Sequence, residues 1–451
     1  MFLNKICIII IIREATKLKK IIGIFICTLL IGTIIPVGIN ATETYNPLDG
    51  GWLEEIDGVT ILHISGTNYE MGYQHGYLQK HEIRENYRMF LDFFDDVGFT
   101  YEILANNWNV MKEYIPERYM SELQGMVNGS DMTLEEIGIM NIAHDTVNII
   151  ECCGAITWGA ATVDGKLIHL RSADGSISLR DPITGNYFQE NHVVIIRDPD
   201  EGYALLYPIG AGDIGCWGGI NEKGIGVSET TCLPQDTTLH GIPASFRMRS
   251  VLDFVDNGDD AITIMNSNRT CGWNLLISDG NIPEGYVIEQ TANISYVSTW
   301  DDAIESTEPF WMIQQVLRRT NCYISPECAL LERDNYDPSG IMGLIRFFSG
   351  KDTRFVVWTH YRVLSEGLEE SWGNLDVNVT MKILCDMYLG KTDMILNILQ
   401  RLFFIYQPFH QWVACPETGE MVVTFASSDK IASANPVHHF NLFELLESEP
   451  P

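Results

Sequence analysis

CCGAITWGAATVDGKLIHLRSAD, residues 152–174, is the stretch whose reading decides the rest of the chain. Two apolar runs, AITWGAAT and KLIHL, flank the pair Asp164-Gly165, the strongest short-range sequence signal for a β-hairpin closed by a tight primed turn. Folding about such a turn sets Asp174 beside Ala155 and Arg171 beside Trp158. A cysteine at the start of one strand then faces an Arg-x-x-Asp pair at the end of its partner. A thiol attacks a carbonyl as its thiolate, which a guanidinium favours, while a carboxylate orients the guanidinium or an amine. From the hairpin alone the favoured reading is the plainer one, that Cys152 and Cys153 are small buried residues and Arg171 with Asp174 is a structural ion pair.

The stretch resembles, residue by residue through the turn, the nucleophile hairpin of the peptidase C45 family. This is the acyl-CoA:6-aminopenicillanate acyltransferase-like branch of the N-terminal-nucleophile (Ntn) hydrolases. In that register Cys152 takes the nucleophile position and Cys153 stands where the family has Ser or Thr. The likeness runs over nearly all of residues 51–445, through GTNYEMGYQHGYL (66–78), ELQGMVNG (122–129), GGINEKGIGVSETT (218–231), RRTNCYISPE (318–327), the stretch 361–393 and FHQWVACPETGEMVVTFA (409–426).

The resemblance implies an α+β fold, the four-layer αββα sandwich of Ntn hydrolases. After a stretch that reads from its own residues as a signal peptide or signal anchor (1–41), it divides the chain into a helical pro-segment (42–151) and a catalytic domain (152–451). It further implies that Arg171 and Asp174 flank the nucleophile, that Asn321 belongs to the active site, and that Arg362 closes it. The oxyanion-hole position that related amidases fill with Asn falls here at Thr231, and Cys322 stands where His is common. Glu151 precedes the bond expected to cleave, where a small residue is usual. No cofactor or metal is implied.

Ntn chemistry needs a free α-amine on the nucleophile itself. Such an amine titrates near pH 7.7–8.0 and serves as base for its own thiol. The expectation is that Cys152 attacks the Glu151 carbonyl, the bond shifts to a thioester and hydrolyses, and residues 42–151 remain as a small subunit. In turnover Cys152 attacks an acyl amide or acyl thioester, Asp174 holds the α-ammonium, and Arg171 lowers the thiol pKa or meets a substrate carboxylate. Cys153 is the competing nucleophile.

The pattern before Cys152 reads as a short strand, GVTILHISG, then helices. One spans Tyr69 to Val97; another is opened by the capping box Thr133-Leu134-Glu135-Glu136 and continues towards Ile149. After Cys152 come short apolar strands (HVVIIRD, YALLYPIG, GIGVSETT, NLLISD, YVIEQT). Helices over Phe310 to Arg318 and Met381 to Phe404 follow, then the strands QWVAC and MVVTFA. Strands at both ends with helices on either side fit two stacked sheets between helix layers.

Sixty acidic against 29 basic residues give a net charge of −31, which repels nucleic acid and anionic membranes. Lys17, Lys19 and Lys20 followed by the apolar run Ile21 to Ile39 read as a targeting signal, so the folded part is expected outside the cytoplasm. The 11 cysteines show no zinc-like spacing. Three rival readings stay open: an acyltransferase, a non-catalytic binding protein on an Ntn scaffold, and a metal-dependent hydrolase using His438-His439. The last is weak, because adjacent strand residues point to opposite faces.

Overall fold

The computed structural model describes residues 46–146, 151–332, 354–391 and 407–450. The expected leader (1–41), the C-terminal end of the helix towards Ile149 and residues 392–404 lie outside the described residues. The chain enters through β1 (Trp52–Ile56) and β2 (Val59–Gly66). Five helices follow: α1 (Asn68–Leu78), α2 (Lys80–Asp96), α3 (Tyr101–Met111), α4 (Glu117–Ser130) and α5 (Leu134–Thr146). The hairpin of interest is β3 (Glu151–Gly159) and β4 (Gly165–Asp174). Next come β5 (His192–Pro199), β6 (Leu205–Gly210), β7 (Gly218–Asn221), β8 (Ile225–Thr231), α6 (Ala244–Phe254), α7 (Gly258–Met265), β9 (Trp273–Asp279), β10 (Glu284–Gln290) and β11 (Ser295–Ser298). β12 (Val316–Arg319), α8 (Arg354–Glu370), α9 (Val377–Tyr388), β13 (Pro408–Cys415), β14 (Glu420–Phe425) and β15 (His438–Asn441) complete these elements.

Among the described residues the strands form a nine-stranded sheet, β1-β2-β5-β6-β7-β8-β9-β10-β11, and a six-stranded sheet, β12-β3-β4-β13-β14-β15. Period-two alternation sends each central strand's side chains to two faces, and both faces are apolar here. Between the sheets, Ile61, Val194 and Leu206 meet Trp412, Ala414 and Val423, and Ile156 and Trp158 meet Leu276 and Val287. The outer face of the larger sheet packs under α1, α2, α6 and α7 through Met71, Met89, Val251 and Met265. That of the smaller sheet packs under α8 and α9 through Tyr361, Leu364, Met381 and Tyr388. Two sheets between two helix layers make the αββα sandwich of the Ntn hydrolases.

The segment before Cys152 is built into this fold. β2 pairs in parallel with β5, Ile61 opposite Val194. Its helices α1 and α4 touch backbone to backbone. A Cβ on Gly72 would stand 1.9 Å from Glu122 O, and one on Gly125 would stand 2.0 Å from Tyr69 O. Only glycine permits that approach, which accounts for the small residues in MGYQHG and LQGMVNG.

Several expectations are corrected. The helix read over Tyr69 to Val97 is two helices, broken at Gln79 (φ −116°, ψ 28°), because α1 must lie flat on α4 while α2 turns away to cover the sheet. Phe310 to Arg318 is not helical. Phe310 packs its ring edge-on against Trp358 and Tyr361, and Val316–Arg319 is a strand whose partner is β3. The tight Asp164-Gly165 turn is not used either. Gly159 pairs with Gly165, leaving residues 160–164 as a longer loop tied by Thr162 Oγ1 to the carbonyls of Gly159 and Lys166. The register therefore slides: Asp174 stands opposite Glu151 and Arg171 opposite Gly154, not beside Ala155 and Trp158.

Candidate active site

That register decides which groups meet. Cys152 pairs across the hairpin with Ala173, and both Cys152 and Arg171 project into the space between the sheets. Arg171, fully buried, donates from Nη2 to Cys152 Sγ at 3.4 Å and pairs with the Glu229 carboxylate on β8 of the facing sheet. Its Nε also donates to the Glu229 carbonyl at 3.3 Å. One charged group from each sheet thus brackets the thiol. Burial pushes the Cys152 thiol well above its ordinary pKa, Glu229 adds to that, and Arg171 opposes it. The net direction is upward, so Arg171 alone does not make the thiolate; a base is required.

The main-chain nitrogen of Cys152 is held separately. Its N–H donates to Asn321 Oδ1 at 2.8 Å, and Asn321 Nδ2 donates to the Thr231 carbonyl at 2.8 Å. The turn carrying Asn321 is itself clamped. Asn274 Nδ2 donates to the carbonyls of Thr320 (2.8 Å) and Cys322 (2.9 Å), and Thr230 Oγ1 donates to Thr320 O at 2.8 Å. Thr231 therefore meets Asn321 through its carbonyl. Cys322 turns its side chain into the core beneath α8, 3.9 Å from Thr320 Oγ1.

Cys153 faces the other way, as alternation requires. Its Sγ lies 3.4 Å from the Tyr388 hydroxyl on α9, and that hydroxyl donates to Asp174 Oδ2. Ser172 Oγ donates to Asp174 Oδ1 at 2.5 Å. Burial drives the Asp174 carboxyl up to about 7 against these hydrogen bonds and the charge of Arg171. Asp174 is held by Ser172 and Tyr388 on the helix-layer face, while the Cys152 N–H goes to Asn321, so the expected contact between Asp174 and the Cys152 nitrogen is not made in the unprocessed chain. Arg362, on α8, takes both carboxylate oxygens of Glu366 at 2.9 Å, one turn along the same helix. The geometry thus gathers Cys152, Arg171 and Asn321 directly, with Thr231 behind Asn321, whereas the Arg362 ion pair stays on its own helix.

Glu229, Asn274 and Tyr388 were not singled out from sequence. Glu229 lies within GIGVSETT, where an acidic residue at a strand end passes for a solvated one. Its full burial is the only sign of its pairing, and burial follows from the second sheet.

Residues 185–303 match the family acyl-coenzyme A:6-aminopenicillanic acid acyl-transferase. The matched segment carries Glu229 and Asn274 and includes GGINEKGIGVSETT (218–231), one of the stretches from which the resemblance was read. An uncharacterised protein of Archaeoglobus fulgidus is 23% identical over 336 residues, 64% of this chain and 54% of that one. Protein dcd1B of Dictyostelium discoideum is 25% identical over 277 residues, 55% of this chain and 53% of that one. The chain spans about half the length of the curated relatives it matches.

Among solved structures, similar folds include the Caenorhabditis elegans N-acylethanolamine-hydrolyzing acid amidase ortholog. It is 14% identical with a TM-score of 0.37, covering 59% of this chain and 93% of that one. A variant of conjugated bile acid hydrolase from Clostridium perfringens is 14% identical with a TM-score of 0.33, covering 65% and 93%. Penicillin V acylase from Agrobacterium tumefaciens is 10% identical with a TM-score of 0.38, covering 65% and 87%.

Proposed function

We propose that this protein is an exported, self-processing cysteine amidohydrolase that cleaves acyl amides through an acyl-enzyme on Cys152. One observation carries the reading: the sulfur and the nitrogen of one residue are each held by a separate partner, Sγ by the buried Arg171 and N–H by the half-buried Asn321. A structural cysteine needs neither. In the first step Cys152 Sγ attacks the Glu151 carbonyl and the C–N bond breaks as the thiol proton passes to nitrogen, freeing the Cys152 amine; water then hydrolyses the thioester, releasing the Glu151 carboxylate and restoring the thiol. Asn321 Oδ1 then accepts from that amine and aims its lone pair at the thiol.

In turnover the amine takes the thiol proton as sulfur attacks the substrate carbonyl. The proton passes to the departing amine, and water releases the acyl group. Since burial keeps the thiol protonated, an adjacent base is what the chemistry requires. Arg171 steadies the developing thiolate, with Glu229 fixing the guanidinium. The test is mass spectrometry of the purified chain quenched early in turnover of an acyl amide. An adduct of the acyl mass on the peptide beginning at Cys152 is expected; an active enzyme with no Cys152 adduct overturns the reading.

A second reading, transfer of the acyl group to an amine, draws support from the acyl-transferase family match over residues 185–303. Both share the acyl-enzyme. Titrating an acceptor amine into the assay separates them, because a transferase diverts product from free acid to new amide and a hydrolase does not.

A further inference from the structure

Beside the Cys152 hairpin lies a cavity enclosing about 470 Å³ of empty space, part of it open to solvent, with almost wholly apolar walls. Its lining includes Phe90, Phe93 and Phe94 of α2, His144 of α5, and Trp217 and Phe409 from the catalytic part. The rings pack on each other through Phe188, whose centroid lies 5.1 Å from those of both Phe90 and Phe409.

Two wall residues are sequence neighbours of residues at or near the reacting groups. Gly175 directly follows Asp174. Gly218, next to Trp217, lies so close to Arg171 that a Cβ there would come within 3.0 Å of Arg171 Cδ.

His144 and Ser176 are polar side chains in the wall, and the Ser176 hydroxyl already hydrogen-bonds that of Ser178 at 2.6 Å. The His144 ring meets Trp217 edge-on at 4.2 Å, and its Nε2 is buried without a hydrogen-bond partner. The nearest carboxylate oxygen, Asp213 Oδ2, is 3.8 Å away, too far for a hydrogen bond, and already accepts from Trp217 Nε1 at 2.7 Å. A buried imidazole nitrogen left unpaired costs free energy unless something else meets it. Burial first, and then the charge of Arg171, push His144 down to about 3, so the ring is neutral and can accept or donate.

We infer that the cavity receives the apolar acyl group of the substrate, and that His144, from the segment upstream of Cys152, is a specificity-determining residue that hydrogen-bonds the polar end of that group. This rests on the acyl-enzyme reading above, but its test needs no turnover. The full-length Cys152→Ala protein is titrated calorimetrically with acetamide, octanamide and phenylacetamide. Octanamide and phenylacetamide should bind at least about tenfold tighter than acetamide, since each buried CH₂ adds to binding.

Leu179→Trp, a partly exposed wall position, fills the cavity and should erase that preference. With (4-hydroxyphenyl)acetamide, whose ring hydroxyl supplies such a polar end, His144→Gln, which keeps a hydrogen-bonding group, should hold binding within about threefold, while His144→Phe should lose about tenfold. Equal binding of all three amides, or a preference that survives Leu179→Trp, overturns the acyl-group assignment. Equal losses for Gln and Phe overturn the hydrogen bond to His144. Amide binding as expected, with no hydrolysis of any acyl amide by the wild-type chain, would overturn the acyl-enzyme reading alone.

Discussion

Asn321 Oδ1 accepts the main-chain N–H of Cys152 at 2.8 Å, across 169 residues of sequence. This bond singles out the one nitrogen that processing would turn into a base, and it is made by a side chain whose other end is anchored to Thr231 O.

Replacing that side chain should act on rate more than on binding. A hydrogen bond to a group that becomes charged contributes about 1.5–3 kcal/mol. Asn321→Ala is therefore expected to lower kcat by roughly 10- to 100-fold with little change in KM, and to slow processing. Steady-state kinetics on one acyl amide check it; a KM effect alone would remove Asn321 from the chemistry.

Arg171 and Glu229 form a buried ion pair reaching from one sheet to the other. Removing one partner strands the other charge, a loss of about 3–5 kcal/mol in comparable pairs. Arg171→Met and Glu229→Leu should each destabilise the fold by that order, and the double variant by much less than the sum. Urea melts of the four proteins close the cycle. The double variant should be folded and inactive.

Asp174 gives a pH signature. Its folded pKa, about 7, lies above the ordinary carboxylate value, so its contribution to stability is fully present below about pH 4 and is lost as pH rises through about 7. In the Cys152→Ala background, Asp174→Asn should gain in Tm relative to its parent on going from pH 5 to pH 8. Asp213, pushed to about 7 by burial, is common to both proteins and cancels in the difference. A Tm difference that does not vary with pH would contradict the account.

The upstream segment should not leave after cleavage. It supplies β1 and β2 to the larger sheet, and its Glu122 is buried against Arg197 and Arg249 of the catalytic part. Processed protein is expected to elute as one peak containing both fragments, and to separate only on unfolding. Glu122→Ala should cost about 3–5 kcal/mol by stranding the arginines. Size-exclusion chromatography before and after urea reads both.

Much of this was legible in the sequence. The runs HVVIIRD, YALLYPIG, GIGVSETT and NLLISD each contain or fall within a strand, and the Thr133 capping box opens α5, with Thr133 Oγ1 accepting from Glu136 N at 3.2 Å. The hairpin's strands were readable but its register was not. Asp-Gly is a local turn signal, while the longer loop is fixed by distant contacts such as Val163 N with Leu375 O. Phe310 to Arg318 has helix-like spacing, yet β3 needs an edge partner and tertiary pairing wins. Glu229 meets Arg171 across 58 residues and Tyr388 meets Asp174 across 214, separations at which spacing carries no information.

The most direct test is the N-terminus of the larger fragment. Denaturing electrophoresis of active protein, with sequencing of the larger band, should show it starting at Cys152, and Cys152→Ala should give one uncut chain. Active protein whose Glu151-Cys152 bond is intact by mass spectrometry would contradict the account outright, because the amine on which it depends would not exist.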